Sequence, residues 1–340
     1  MKLQRFVSLV VFFAMVLSFS ATALAEKYYK MDGMPAGSSY GTIATAFSNA
    51  AHKYADGITV QVSMGKPATR SLIDAAAGRV DFYMFGPSLT EWLRNGQRMF
   101  KKIKNPAQKF AKLRTVVMFP AGAYHALVYA DSGIKTFRDL KGKKVWVGPK
   151  NAAITPVNLA VINGASGLKP GKDFKVVYLD GRAGVQAFQD RQIDFIMAPT
   201  SVPAPMIAQI ALTNKIRLLD LSKAALKHPK IAFMMKLPGR TLETIPPDVY
   251  GPNQVNDKPV TALGVWSGIG TRVGVDAEGV YQTTKAFWEN IDELYAVAAW
   301  AKGITKETAL FEANMPLHKG AYRYYKEAGF KIPAHLVPSD

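Results

Sequence analysis

Two separated stretches of this chain share one local phrase. AAAGRVDFYMFGPS (75–88) and FQDRQIDFIMAPTS (188–201) each read as a helix end, an aspartate (Asp81, Asp194), a buried apolar strand, and a proline at the strand's C-terminal end. A chain that builds this unit twice is expected to form two similar α/β domains, each on a mostly parallel sheet. The surrounding sequence keeps the same grammar. ITVQVSM (58–64), LRTVVMF and YHALVYA on either side of Pro120, KKVWVG, FKVVYL and KIRLLDL read as strands, and RSLIDAAAG and GVQAFQDRQ read as helices.

The N-terminus, MKLQRFVSLVVFFAMVLSFSATALAEKYYK, places Lys2 and Arg5 before an apolar run from Phe6 to Phe19, with Ala23-Leu24-Ala25 ahead of Glu26. That is the pattern of an export leader, expected to be cleaved after Ala25. An uncleaved anchor needs roughly 20 unbroken apolar residues, more than this run offers. No later stretch is long and apolar enough to span a bilayer, so the mature chain is expected to be soluble in the periplasm. Cysteine is absent, which excludes disulfides, thiol catalysis and thiolate metal sites.

The formal net charge is +18, or +16 once Lys2 and Arg5 leave with the leader. The basic residues are scattered and not gathered with interleaved aromatics, so no nucleic-acid partner is expected. The densest run, RMFKKIKNPAQKFAKLR (98–114), reads as a solvated helical face, and the overall field favours small anions near the protein. LPGRTLETIPPDVYGPNQVNDKP, within the Pro-rich passage from about 223 to 260, reads as a surface excursion. VTALGVWSGIG (260–270) then resumes strand character. Two helical patterns follow, with Tyr281, Phe287, Trp288, Tyr295 and Trp300 expected to pack on a sheet.

In open α/β sheets, ligands sit beyond the carboxyl ends of the strands, where helix N-termini present unpaired N–H groups and partial positive charge. Four such mouths are legible: Gly37-Ser38-Ser39-Tyr40, Gly65-Lys66 through Thr69, Lys150 through Thr155 with Asn151 and Ala152, and Asp180-Gly181-Arg182. The third lies in YADSGIKTFRDLKGKKVWVGPKNAAITPVNLAV (129–161), where a strand enters Gly148-Pro149 and a helix opens behind Thr155-Pro156. Two mouths come from each domain, so a carboxylate is expected between them. Ser38 and Thr155 are equally explained as ordinary helix caps, and Lys66 as a solvent-facing loop lysine. Phe85, Gly86, Pro87, Tyr124, Pro199, Thr200 and Trp266 complete the candidate ligand-binding set, the aromatics supplying apolar walls. Neither a cofactor nor a metal is expected. The five histidines (52, 125, 228, 318, 335) fall in no ligand spacing.

ADSGIKTFRDLKGKKVWVG (130–148) resembles the segment that opens the second domain of periplasmic solute-binding proteins. PLHKGAYRYYKEAGF (316–330) closely resembles the C-terminal signature of the TAXI family, the receptor subunits of TRAP (tripartite ATP-independent periplasmic) transporters, and VTALGVWSGIG and TKAFWENIDEL look like that family's late strand and helix. The resemblance covers essentially the whole mature chain. It implies a type II two-lobed periplasmic-binding-protein-like fold, each lobe a mostly parallel sheet flanked by helices with the ligand cleft between them. Residues 26–121 and 260–340 would form lobe I, 122–225 lobe II, and 226–259 a Pro-rich connecting excursion. It also implies a monomeric receptor that captures a small organic acid and hands it to membrane-embedded TRAP permease subunits. Where TAXI receptors carry glycine-rich turns, this chain has Met34-Pro35-Ala36-Gly37, Met64-Gly65-Lys66-Pro67 and Asn151-Ala152-Ala153-Ile154, and bulkier groups there reshape the pocket.

The same architecture also supports transferase-type enzymes, so fold does not decide function. No Gly-x-Ser-x-Gly elbow exists, and AGSSYG only mimics one. A non-enzymatic receptor is the expectation. A transferase-type enzyme and a periplasmic ligand-sensing partner protein remain the alternatives.

Overall fold

The computed structural model describes residues 26–35 and 37–339; the expected leader lies outside the described residues. Ten strands form one eight-stranded mixed sheet that runs through both lobes and one two-stranded parallel sheet. In lobe I, β1 (Lys27–Asp32), β2 (Ile58–Ser63) and β3 (Phe82–Phe85) are parallel, in the order β2-β1-β3. In lobe II, β5 (Lys144–Trp146) and β6 (Lys175–Val177) are parallel. A Val145–Phe195 bridge joins them to the start of β7 (Ile196–Thr200).

Two long strands belong to both lobes. β4 (Leu113–Tyr129) pairs antiparallel with β10 (Val260–Arg272) over its first half, then with β7 and β8 (Ile216–Leu218) over its second. β10 pairs with β3 at one end and with β9 (Arg240–Ile245) at the other. Each parallel sheet therefore receives one antiparallel strand from a segment that crosses between lobes.

The sequence around Pro120 read as two strands, and the structure makes them one. Proline supplies no ladder N–H, and the β4–β10 register slips there: Trp266 faces Pro120 while Val265 faces Gly122, leaving Ala121 as a bulge. Gly122 takes a φ of +105°, and a Cβ on it would stand 1.9 Å from the Thr200 carbonyl oxygen. Only glycine lets β4 pass this close to the end of β7.

The shared phrase has a shared physical role. Asp81 donates its N–H to the Lys30 carbonyl and accepts from the Lys30 N–H, both at 2.9 Å. Asp194 does the same to Lys144, at 2.9 and 2.7 Å. In both lobes the aspartate clips the incoming turn to the neighbouring parallel strand.

Helices α1 (Ser39–Tyr54), α2 (Ala68–Ala76), α3 (Pro87–Arg94) and α4 (Pro106–Ala111) belong to lobe I. The basic run 98–114 carries only the short α4 and a 3₁₀ turn at Arg98–Phe100 before entering β4, because Pro106 can start a helix but not continue one. In lobe II, α5 (Ile154–Ser166), α6 (Gly181–Gln189) and α7 (Pro205–Thr213) follow their strands. One apolar cluster, around Val145, Val147, Val157, Phe195 and Met197, is continuous with the lobe I core; a second, around Trp146, Phe188, Ile196, Ile207 and Ile216, packs separately.

The Pro-rich passage is more ordered than a surface excursion. It holds α8 (Lys223–Lys227), α9 (Pro229–Met235) and β9. Pro229 occupies the first turn of α9, with His228 as the cap, and Ile231 and Met234 are buried. The closing elements are α10 (Ala277–Glu289), α11 (Ile291–Val297) and α12 (Lys319–Glu327). Phe287 and Trp288 are buried, and the Trp288 indole N–H donates to the Tyr325 hydroxyl at 3.0 Å. Tyr281, Tyr295 and Trp300 are half-buried against the same core. Among the described residues, no helix is long and apolar enough to cross a membrane.

Candidate functional site

β3 and β7 end beside the paired strands β10 and β4, at Gly268 and Ala123, and several of the sequence-predicted residues lie around these ends. Gly37, with a φ of +79°, and Ser38 lead into α1. The Ser38 hydroxyl accepts from the Gly41 N–H at 3.2 Å and donates to the Pro35 carbonyl at 2.6 Å, so it is engaged as a cap. Ser39 is buried and donates to the Ala121 carbonyl at 3.1 Å, fastening α1 to β4 beside its bulge. Gly65 and Lys66 are exposed, the Lys66 N–H donating to the Gly33 carbonyl at 2.9 Å, and Thr69 is half-buried on α2. Phe85 packs inside the lobe I core beside Gly268, while Gly86 and Pro87 form the cap and first residue of α3.

On lobe II, Asn151 is exposed and Ala152 half-buried in the turn before α5. That helix starts at Ile154, one residue earlier than the Thr155-Pro156 signal places it. Thr155 is therefore not a cap: it sits in the first turn and donates to the Pro149 carbonyl at 2.6 Å. Arg182 is exposed in the first turn of α6, whose cap is Asp180 accepting from the Ala183 N–H at 2.9 Å. Pro199 and Thr200 pair with Tyr124 and Ala123 at the end of β7. Trp266 turns to Phe311, ring centroids 4.8 Å apart.

Of the predicted residues, Tyr40 and Tyr124 are close enough to influence each other electrostatically, and both lie by Arg240, a residue outside the predicted set. Tyr40 is fully buried, edge-on to Phe119 at 6.2 Å. Burial pushes its phenol pKa up; a hydrogen bond from Ser267 and the charge of Arg240 oppose this, and Tyr124 adds to it. The Arg240 guanidinium lies over the Tyr124 ring, 5.3 Å from its centroid, in cation–π geometry. Its Nε and Nη1 are shielded from solvent and have no acceptor among the described residues. An unsatisfied buried donor costs about 1–3 kcal/mol, and more when charged.

Arg240 is held by its backbone. Gly239 donates to the Glu312 carboxylate at 2.5 Å and accepts from the Trp266 N–H at 2.9 Å, and Arg240 pairs with Val265 across β9 and β10. Pro238 accepts from Ser88 of α3 at 2.6 Å. The sequence signal was available in PGRTLETI, a turn followed by an alternating strand, but it is embedded among prolines.

A groove of about 440 Å³ lies on lobe I between α1, Met64 and the α10–α11 junction, and of the predicted residues Gly37 lines it. Its one carboxylate, Glu293, is already taken by Lys53 at 2.6 Å and by Tyr54. Among the described residues, no three His, Asp or Glu side chains converge as a metal site would require.

Two α/β lobes joined by the shared strands β4 and β10 make the two-lobed fold of periplasmic binding proteins. The chain belongs to the NMT1-like family, whose model matches residues 34–329. It is similar to the periplasmic aliphatic sulphonate binding protein SsuA from Escherichia coli, at 15% identity over 91% of this chain and 96% of that one, TM-score 0.47. It is also similar to a TRAP periplasmic solute binding protein from Desulfovibrio desulfuricans with bound sn-glycerol-3-phosphate, at 16% identity over 89% of each chain, TM-score 0.48. A binding protein component of an ABC phosphonate transporter from Pseudomonas aeruginosa matches at 12% identity over 82% of this chain and 80% of that one, TM-score 0.49.

Proposed function

We propose that this protein is an exported, non-enzymatic solute receptor of the TAXI type, which captures a small organic anion between its lobes and delivers it to a TRAP permease. The observation that carries the reading is a double link between the lobes: β4 pairs with β10 and then with β7 and β8, and Thr261 at the start of β10 donates its N–H to Asp220 and accepts from the Leu221 N–H of lobe II. Two linking strands let the lobes rotate about a cleft without losing either core. Membership of the NMT1-like family and the mouths at the strand ends support the same reading.

In this reading the lobes are 26–121 with 260–340, and 122–225, with 226–259 connecting them. The cleft is lined from lobe I by the α1 and α2 mouths and from lobe II by the α5 and α6 mouths. Lys66 and Arg182, one on each lobe and both exposed, act as rim cations. The test is a thermal-shift screen of the purified mature chain against organic acids, because a ligand that binds only the native state raises the melting temperature. Saturable stabilisation by at least one small organic anion is expected; stabilisation by none overturns the proposal.

A further inference from the structure

We infer that Arg240 is the charge anchor of the cleft and that it selects a monocarboxylate on an apolar body; this rests on the anion-receptor reading above. Arginine is the side chain suited to carboxylate recognition, because its planar donors match carboxylate geometry and it is weakly hydrated. Here Nε and Nη1 are shielded from solvent with no protein acceptor, while the ring of Tyr124 lies against the cation. Arg240 as a whole is half-buried, but these two donors are held away from water in advance, and what they lack is an anion.

The surroundings set the ligand class. Tyr124 lies against the guanidinium and Tyr40 feels its charge, with Phe119 edge-on to Tyr40 and Ser267 hydrogen-bonded to it; all four are buried, and none carries a second positive charge. A monoanion neutralises the site, whereas the second carboxylate of a dianion would be buried among aromatics without a partner, which is strongly unfavourable. Lys66 and Arg182 are exposed at their mouths, and among the described residues no contact joins either to Arg240 or Tyr124. Because the donors are inaccessible as the lobes stand, a ligand reaches them when the lobes part.

The experiment is calorimetric titration of the mature chain with benzoate, succinate and inorganic phosphate, repeated on Arg240→Gln and Arg240→Lys. Benzoate is expected to bind wild type at least tenfold tighter than succinate or phosphate. Arg240→Gln is expected to lose tenfold or more of that affinity with its fold intact by circular dichroism. Arg240→Lys keeps the charge but not the planar donors, so an intermediate loss is expected; it stands as the readout if the glutamine variant does not fold. Benzoate binding within twofold of wild type in a folded Arg240→Gln or Arg240→Lys overturns the anchor while leaving the receptor reading intact. Tighter binding of succinate or phosphate overturns the monocarboxylate class. Failure of all three anions to bind wild type overturns this inference, while the broader organic-acid screen decides the receptor reading separately.

Discussion

Asp194 grips Lys144 twice through the backbone, donating its N–H to the Lys144 carbonyl at 2.9 Å and accepting the Lys144 N–H on its carboxylate at 2.7 Å. Asp81 and Lys30 repeat the grip in the other lobe, and there the carboxylate also meets Arg272 at 2.8 Å in a half-buried ion pair. Asp194→Ala is expected to cost about 0.5–1.5 kcal/mol, the net worth of a typical intramolecular hydrogen bond, since this one is exposed. Asp81→Ala is expected to cost more, because it also strands Arg272. Urea midpoints of the two variants check the order; equal or negligible losses would show that the clips are incidental.

Gly122 tests how closely β4 is seated on the end of β7. Gly122→Ala combines a positive φ with a Cβ 1.9 Å from the Thr200 carbonyl oxygen, so a loss of about 3 kcal/mol or more is expected. Gly133→Ala is the control, since its φ of +74° is similar but its Cβ meets open space; about 1–2 kcal/mol is expected there. Melting temperatures that fall equally in both variants would contradict the close approach.

His125 makes stability depend on pH. The ring is fully buried, its Nδ1 2.9 Å from the Ala123 carbonyl and its Nε2 2.7 Å from the Tyr250 hydroxyl, which itself accepts from the Ala204 N–H at 2.9 Å. Nδ1 must therefore donate and Nε2 accept, which fixes a neutral ring. Burial lowers its pKa from 6.5 to about 4. Below 6.5 the unfolded chain takes up a proton that the folded chain refuses, so stability is full above 6.5 and falls as pH drops toward 4, by roughly 2–4 kcal/mol from this residue. Urea unfolding of wild type and His125→Gln across pH 4–7 should show a shallower acid loss in the variant. Parallel pH profiles would contradict the buried neutral ring.

The rim cations are expected to act on rate. Lys66→Met and Arg182→Met should slow association of benzoate several-fold at low salt and have little effect at high salt, as exposed steering charges do. Stopped-flow traces at two ionic strengths check this; a salt-independent loss would place either side chain inside the pocket instead.

The phrase ending in Asp81 and Asp194 was legible because local chemistry dictates it: an apolar strand, a clip and a proline need few distant contacts. The end of β7 seated on Gly122 was not legible, since it depends on a bulge created when β4 meets β10. Arg240 was missed for a similar reason. Pro238, Pro246 and Pro247 around it signal a loop, yet β10 offers an open edge and the residues between, RTLETI, pair with it. Lys66 and Arg182 stood out because they sit beside recognisable turns. Arg240 reaches Tyr124 only through pairing across the chain.

Small-angle X-ray scattering of the mature chain, alone and with a saturating organic acid from the thermal-shift screen, asks whether the two crossing strands work as a hinge. Compaction on binding, seen as a smaller radius of gyration and a shorter maximum dimension, is the predicted result. An unchanged radius of gyration at verified saturation would contradict a receptor that closes on its solute.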